Sequence, residues 1–295
     1  MSAKVVLWAG LIACVMAITV VGQGPPPPAP PGYPQAYPPP SEQQPPPMDP
    51  QQLDQLVERV ALYPDPLLGQ VLTASTYWNQ IPDAAAWADR HSFLRGDELS
   101  RAMYDDNLGF DPSVMALLPF PSVLDMMARD PGWTQSLGGA VLSQRPAVMD
   151  AVQRMRQRAM DYGYLQSSAQ DRVVVEGPGD IEILPINPAY VYVPYYDPAI
   201  VFAAPRPGFF VRAGITFGPG IFVGAFAPFG WSSVTLGWRA HDIVIDHRPW
   251  GRTWVNRGAY MHSYAIPQIR PRAARVERHE ERHAEHRYVE RHEHH

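Results

Sequence analysis

Apolar positions along residues 51–165 recur with a helical period. Leu53, Leu56, Val57, Val60 and Ala61 follow an i, i+3, i+4, i+7 stripe, the spacing that lines one face of an α-helix. Asp49-Pro50 stands just ahead of that stripe. An aspartate there can accept from an orphan backbone N–H, and a proline at the first helical position lacks only an N–H that would have had no partner. The same dipeptide recurs as Asp65-Pro66, Asp111-Pro112 and Asp130-Pro131, each ahead of another apolar-periodic stretch. The pattern predicts helices near 51–62, 66–78, 82–90, 97–105, 112–118, 121–129 and 145–163. In the last, Val148, Val152, Met155 and Ala159 share a face, with Arg154, Arg156 and Arg158 largely off it. Short helices broken by proline predict an irregular bundle rather than a coiled coil.

The period then changes. Val173 to Glu176, the turn Gly177-Pro178-Gly179-Asp180 and Ile181 to Leu184 read as a β-hairpin. Tyr190 to Val193 supplies a third strand, and Asp197-Pro198 opens the run Ala199 to Ala204. In the Gly- and aromatic-rich stretch 205–271, Phe209 to Phe217 and Ile221 to Phe226 are expected to form a second hairpin around Gly218-Pro219-Gly220. His241, Ile243, Ile245 and His247 alternate with Asp242, Val244 and Asp246, which predicts an exposed edge strand with polar ends. The fold class is α+β: an irregular bundle of short helices followed by a small antiparallel β unit.

Both flanks differ from this body. Lys4 is the only charge ahead of an uncharged run from Val5 to Val21, which ends in small residues, as secretory signals do. Cys14, preceded by Leu11-Ile12-Ala13, leaves two further readings open: a lipoprotein anchored at Cys14, or an uncleaved N-terminal membrane anchor. In residues 23–50, 14 of 28 positions are proline, a composition that favours an extended polyproline II tether over a packed core. Residues 272–295 hold six Arg, six Glu and six His, and are expected to be disordered for want of an apolar face. The expected organisation is a signal segment at 1–22, a Pro-rich linker at 23–50, a core at 51–204, a Gly/aromatic β extension at 205–271 and a charged tail at 272–295.

Composition narrows the chemistry. Lys4 is the only lysine and Cys14 the only cysteine. Schiff-base, P-loop and thiol-nucleophile mechanisms in the mature body are thereby excluded, and so are disulfides. The net charge of −5 divides unevenly: −9 over residues 51–200, with 19 Asp/Glu against 10 Arg, and +5 over residues 201–271, with 7 Arg against 2 Asp.

Four groups carry candidate chemistry. His279-Glu280-Glu281-Arg282-His283 has the form H-E-x-x-H, but it lies in a tail of little else than Glu, Arg and His, with no wall to exclude water. His279, His283 and His286 share one helical face and suit adventitious Zn, Ni or Cu. Arg239, Arg248, Trp250, Arg252, Trp254, Arg257 and Tyr260 interleave cations with aromatics, a surface that fits an anionic envelope polymer or lipid. Asp105-Asp106 and the group Glu176, Asp180 and Glu182 are the nearest approach to the paired carboxylates of glycan cleavage, yet they fall in a loop and a turn. No residue is assigned a catalytic or cofactor-binding role, and nucleic acid is not an expected partner of a net-negative exported chain.

Two longer strings carry a resemblance. Leu53 to Thr76, centred on Ala61-Leu62-Tyr63-Pro64-Asp65-Pro66-Leu67-Leu68, resembles the opening of the bacterial family known as domain of unknown function 3300, and Ile186 to Pro198 is similar to that family's second hallmark. The resemblance implies an exported envelope protein and implies no activity. The expected role is a non-enzymatic structural or interaction module of the periplasm or cell envelope, with Tyr190, Tyr192, Tyr195 and Tyr196 as the partner contacts. The alternatives are an envelope hydrolase acting on peptidoglycan or peptide, and a metal-binding or sensing protein working through the His-rich tail.

Overall fold

The structure is a computed structural model that describes residues 44–177, 179–204 and 214–260. The N-terminal segment expected to be a signal, most of the proline tract and the tail with His279, His283 and His286 lie outside the described residues.

Helices α1 (Pro50–Val57), α2 (Asp65–Ser75), α3 (Ile81–Arg90), α4 (Gly96–Asp105), α5 (Pro112–Met115) and α6 (Pro121–Arg129) follow the predicted order. Most Asp-Pro starts work as the sequence implies. Asp49 accepts from Gln52 N and completes a reciprocal capping box with the Gln52 side chain. Asp111 accepts from Ser113 N and Asp130 from Trp133 N. Asp65 is the exception: α2 has no side-chain cap, because that carboxylate turns inward to Arg156.

Helix α7 (Pro131–Asp161) begins well ahead of the expected 145 and is broken at Gln144, whose φ of −148° and ψ of 43° are not helical. Pro146 has no N–H to give to the carbonyl of Leu142, which instead accepts from Trp254 N at 3.0 Å. Residues 131–143 carry seven low-propensity glycine, β-branched or hydroxyl positions that hid the helix, namely Gly132, Thr134, Ser136, Gly138, Gly139, Val141 and Ser143. Gly138 is there for contact: a Cβ would run into the Ser75 carbonyl, so its absence lets α7 meet α2 backbone to backbone.

Strands β1 (Asp171–Glu176) and β2 (Asp180–Pro185) form the predicted hairpin, with Val173 opposite Ile183. Helical side chains cover its inner edge. Gln153 donates to Ile181 O and accepts from Ile181 N, and Ile183 N donates to Asp65. Beyond it the predicted pairing changes. Strand β3 (Tyr190–Val191) and strand β4 (Pro194–Tyr196) precede the short helix α8 (Pro198–Val201), and strand β5 (Ile215–Phe217) and strand β6 (Ile221–Phe222) follow it. β5 pairs with β4 and β6 with β3, so these segments do not form a hairpin with each other.

Strand β7 (Val234–Gly237), strand β8 (Asp242–Ile245) and strand β9 (Arg248–Pro249) make a three-stranded sheet with β8 in the centre. The predicted edge strand is therefore an interior one: Ile243 and Ile245 are buried, and His241, Asp246 and His247 sit at positive φ in the turns. Trp231, Leu236, Trp238, Ile243 and Trp250 join Leu67, Val71, Leu117 and Val152 in one hydrophobic cluster. The boundary expected at residue 204 does not separate two cores. The glycines and aromatics beyond it complete the helical body.

Candidate functional site

The first hallmark string folds around a buried cation. Arg156, expected off the apolar face of α7, is fully buried. Its Nε donates to Ala61 O at 2.9 Å, its Nη2 to Tyr63 O at 2.9 Å, and its Nη1 to Asp65 Oδ1 and Ile181 O, each at 2.7 Å. Trp238 Nε1 donates to the other oxygen of Asp65 at 3.0 Å, and the guanidinium lies 4.7 Å from the centre of the Trp238 ring. Every partner needed to keep a charge pair out of water is supplied by protein. The hub ties the α1–α2 turn to α7, β2 and the β7–β8 sheet. Its polar groups are consumed internally, so it is architecture and offers nothing to a ligand.

The second hallmark string does the reverse. Tyr190 is 38% exposed, Tyr195 46% and Phe222, opposite Tyr190 on β6, 45%. The Tyr190 and Phe222 rings lie 5.5 Å apart. Glycines beneath the string seat its rings: a Cβ on Gly220 would come within 2.7 Å of the Tyr192 ring, and one on Gly218 within 3.0 Å of Tyr195. Tyr196 is half-buried and pinned, donating to Glu58 O at 2.8 Å and accepting from Leu62 N at 3.3 Å. The four tyrosines thus divide, with Tyr190 and Tyr195 presented to solvent and Tyr192 and Tyr196 holding the string in place.

Tyr195 is a ridge between two clefts, both of which also include Ser122 and Val193. Its hydroxyl is 3.0 Å from Ser122 Oγ. On one side a cleft of about 170 Å³ is walled by Leu94, Leu99, Leu118, Phe120 and Ile221, with His91 and Arg95 on its margin. On the other, a cleft of about 560 Å³ combines Tyr63, Met126 and Tyr196 with Glu58 and Asp197. Burial holds the Glu58 carboxyl above its ordinary range; the Arg59 guanidinium opposes this and repulsion from Asp197 adds to it. Asp197 also caps α8, accepting from Ala199 N at 2.9 Å. A third depression of about 580 Å³ continues past Glu58 to Arg154 and Arg158, both paired with Asp54.

Other sequence candidates are placed elsewhere. The cation–aromatic stripe is mostly satisfied within the molecule: Trp250 is buried, Arg252 stacks 3.7 Å from the centre of Tyr77, Arg257 lies over Trp254, and Arg239 pairs with Asp180 at 2.7 Å. It is a clamp for residues 250–260, not a free basic surface. Asp106 accepts from Trp87 Nε1 at 2.7 Å and lies 3.7 Å from His91. Glu176 and Asp180 flank the hairpin turn beside Arg239, outside the three clefts described above. His241 pairs with Asp150 at 2.9 Å. Among the described residues, no group of three or more His, Cys, Asp or Glu is placed to hold a metal ion, and no helix is long and apolar enough to cross a membrane. Glu58 was missed by sequence reasoning. It is one polar residue on an amphipathic helix, and only the return of the chain at Asp197 gives it a neighbour.

Comparison with known proteins supports the resemblance without adding an activity. The chain is 37% identical over 182 residues to the uncharacterized protein YacH of Escherichia coli strain K12, in a match covering 51% of this chain and 29% of YacH. No solved structure matches. The model of the family described as "Protein of unknown function (DUF3300)" matches residues 49–264, taking in both hallmark strings, the β7–β9 sheet and the arginine clamp, and the chain belongs to that family.

Proposed function

We propose that this protein is an exported contact module of the cell envelope, and that it binds its partner through the face carrying Tyr190, Tyr195 and Phe222. One observation carries the reading. Large aromatic side chains are held half out in water on short paired strands, with a cleft on each side of Tyr195. Export rests on the N-terminal charge-then-apolar pattern and on the extended proline tract that follows it. A photo-crosslinking residue placed at position 195 should capture a partner from native envelope, and the same residue at Val175, exposed on the hairpin, should not. Equal capture at both positions overturns the reading.

A hydrolase acting on wall glycan has one observation in its favour: Glu58, held protonated to higher pH than usual, shares a cleft with Asp197. Against it, Asp197 is engaged as a helix cap and the cleft is a surface depression, where water screens any charge developing on a substrate. Release of reducing ends from purified cell wall, lost on Glu58→Gln, would establish this reading in place of contact alone.

A further inference from the structure

We propose that the paired clefts take an extended basic peptide of a partner protein, with an apolar side chain beside Phe120 and Ile221 and a lysine or arginine cation between Glu58 and Asp197, across the ridge of Tyr195. The inference names the partner chemistry for the contact face and rests on that reading.

The two clefts ask for different things. The smaller is lined by aliphatic and aromatic groups and has about 170 Å³, room for one aliphatic side chain. The larger sets two carboxylates against tyrosine and methionine walls, which suit a long apolar stem ending in a cation. Arg59 also lines this cleft and offsets part of the negative charge on Glu58, but its guanidinium is held by Asp130 at 2.9 Å and lies over Trp133. Two carboxylates against one engaged guanidinium leave the cleft acidic, and a cation placed between Glu58 and Asp197 turns their mutual repulsion into two attractions. Glu58 also ends α1, where the helix carbonyls concentrate negative potential.

The surroundings give the site a direction. Past Glu58 the depression holds Arg154 and Arg158 with their partner Asp54, so the carboxylate beyond Glu58 is already engaged. The two clefts meet at Ser122, Val193 and Tyr195, so a bound peptide can run from the carboxylates over Tyr195 towards Phe120, as an extended strand does with its side chains alternating about a straight backbone. The described residues hold no lysine, so a lysine in this cleft comes from outside them.

The test is a titration of the ¹⁵N-labelled full chain with acetylated, amidated peptides that carry one leucine and one lysine in a proline–serine frame. The expected shifts map to 58–63, 118–126 and 193–199. Replacing the peptide's lysine by glutamate should weaken binding by about tenfold, and Glu58→Gln and Asp197→Asn should each weaken the lysine peptide by about three- to tenfold while leaving the glutamate peptide unchanged. Asparagine keeps the α8 cap, so the second variant reports charge and not folding. Equal binding of lysine and glutamate peptides overturns the proposal but leaves the contact face standing if position 195 still crosslinks a partner. Absence of binding across the panel, shifts elsewhere on the molecule, or concentration-dependent broadening of the same residues without peptide, which would assign the face to a second copy, overturns it as well.

Discussion

Around Arg156 the string Ala61–Pro66 turns its carbonyls and its carboxylate inward, whereas along Ile186–Pro198 the chain holds tyrosine rings outward over glycines. Both strings are hallmarks of one family, and both are rich in Tyr, Pro and Asp, yet their polar groups face opposite ways. In the first, a turn that would otherwise strand its carbonyls is closed by a guanidinium arriving from α7. In the second, short strands leave Tyr190 and Tyr195 exposed while Tyr192 and Tyr196 anchor the string. The first string answers to folding; whether the second answers to binding is what mutation separates.

The largest effect is expected at the hub. Arg156→Met removes the charge partner of Asp65 and the donor to three backbone carbonyls, which should cost about 3–5 kcal/mol in urea-induced unfolding. A loss below about 1 kcal/mol would mean that water reaches Asp65 and that the hub is not closed.

Next comes Asp171, at the start of the hairpin between the two strings. It is 3% exposed, its Oδ1 has no hydrogen-bond partner among the described residues, and burial pushes its carboxyl up to about 6. A carboxyl raised in the fold binds its proton more tightly there than in the unfolded chain. Its contribution is therefore intact below pH 3.8 and is lost as pH rises to about 6. The wild type should lose about 2 kcal/mol relative to Asp171→Asn between pH 4 and pH 7. Parallel stability curves for the two proteins would show that the carboxylate is solvated.

Trp238→Phe keeps the ring over Arg156 but removes the donor to Asp65 Oδ2, at an expected cost of about 1–3 kcal/mol in the same unfolding assay. The substitution lies in the segment that sequence reading set apart as an extension. A change confined to the tryptophan-rich segment, with the helical signal at 222 nm unfolding at its original midpoint, would contradict the single core.

These residues also show what was legible in the chain. Helix starts are local: an aspartate and the N–H it caps are two or three residues apart, so Asp49, Asp111 and Asp130 declared themselves. Asp65 carries the same dipeptide, but its partner Arg156 is 91 residues away, and no local pattern distinguishes a buried arginine from its solvated neighbours Arg154 and Arg158. The hairpin at 171–185 was readable because its turn joins adjacent strands. The pairing of β4 with β5 was not, since β5 and β6 flank a glycine turn that looks like a hairpin of its own. Those glycines answer to the tyrosine rings laid across them from the other string. The candidate site was half legible. Tyr190 to Tyr196 stood out by composition, while Glu58 acquired meaning only when α1 and α8 were brought to one cleft.

The smallest effect on stability, and the one that completes the contrast, is expected on the open face. Tyr190→Ser removes a ring that is 38% exposed and touches mainly Phe222, so unfolding should shift by about 0.5–1 kcal/mol. Tyr195→Ala removes the Ser122 contact and the ridge between the clefts at a similar cost. If the face exists for binding, each variant should lose several-fold in partner capture at nearly unchanged stability. A hub variant weakened only as far as Trp238→Phe should capture normally as long as it stays folded. Should Tyr195→Ala unfold the protein as readily as Arg156→Met, the second string would be architecture like the first, and the contact face would have to be sought elsewhere on the molecule.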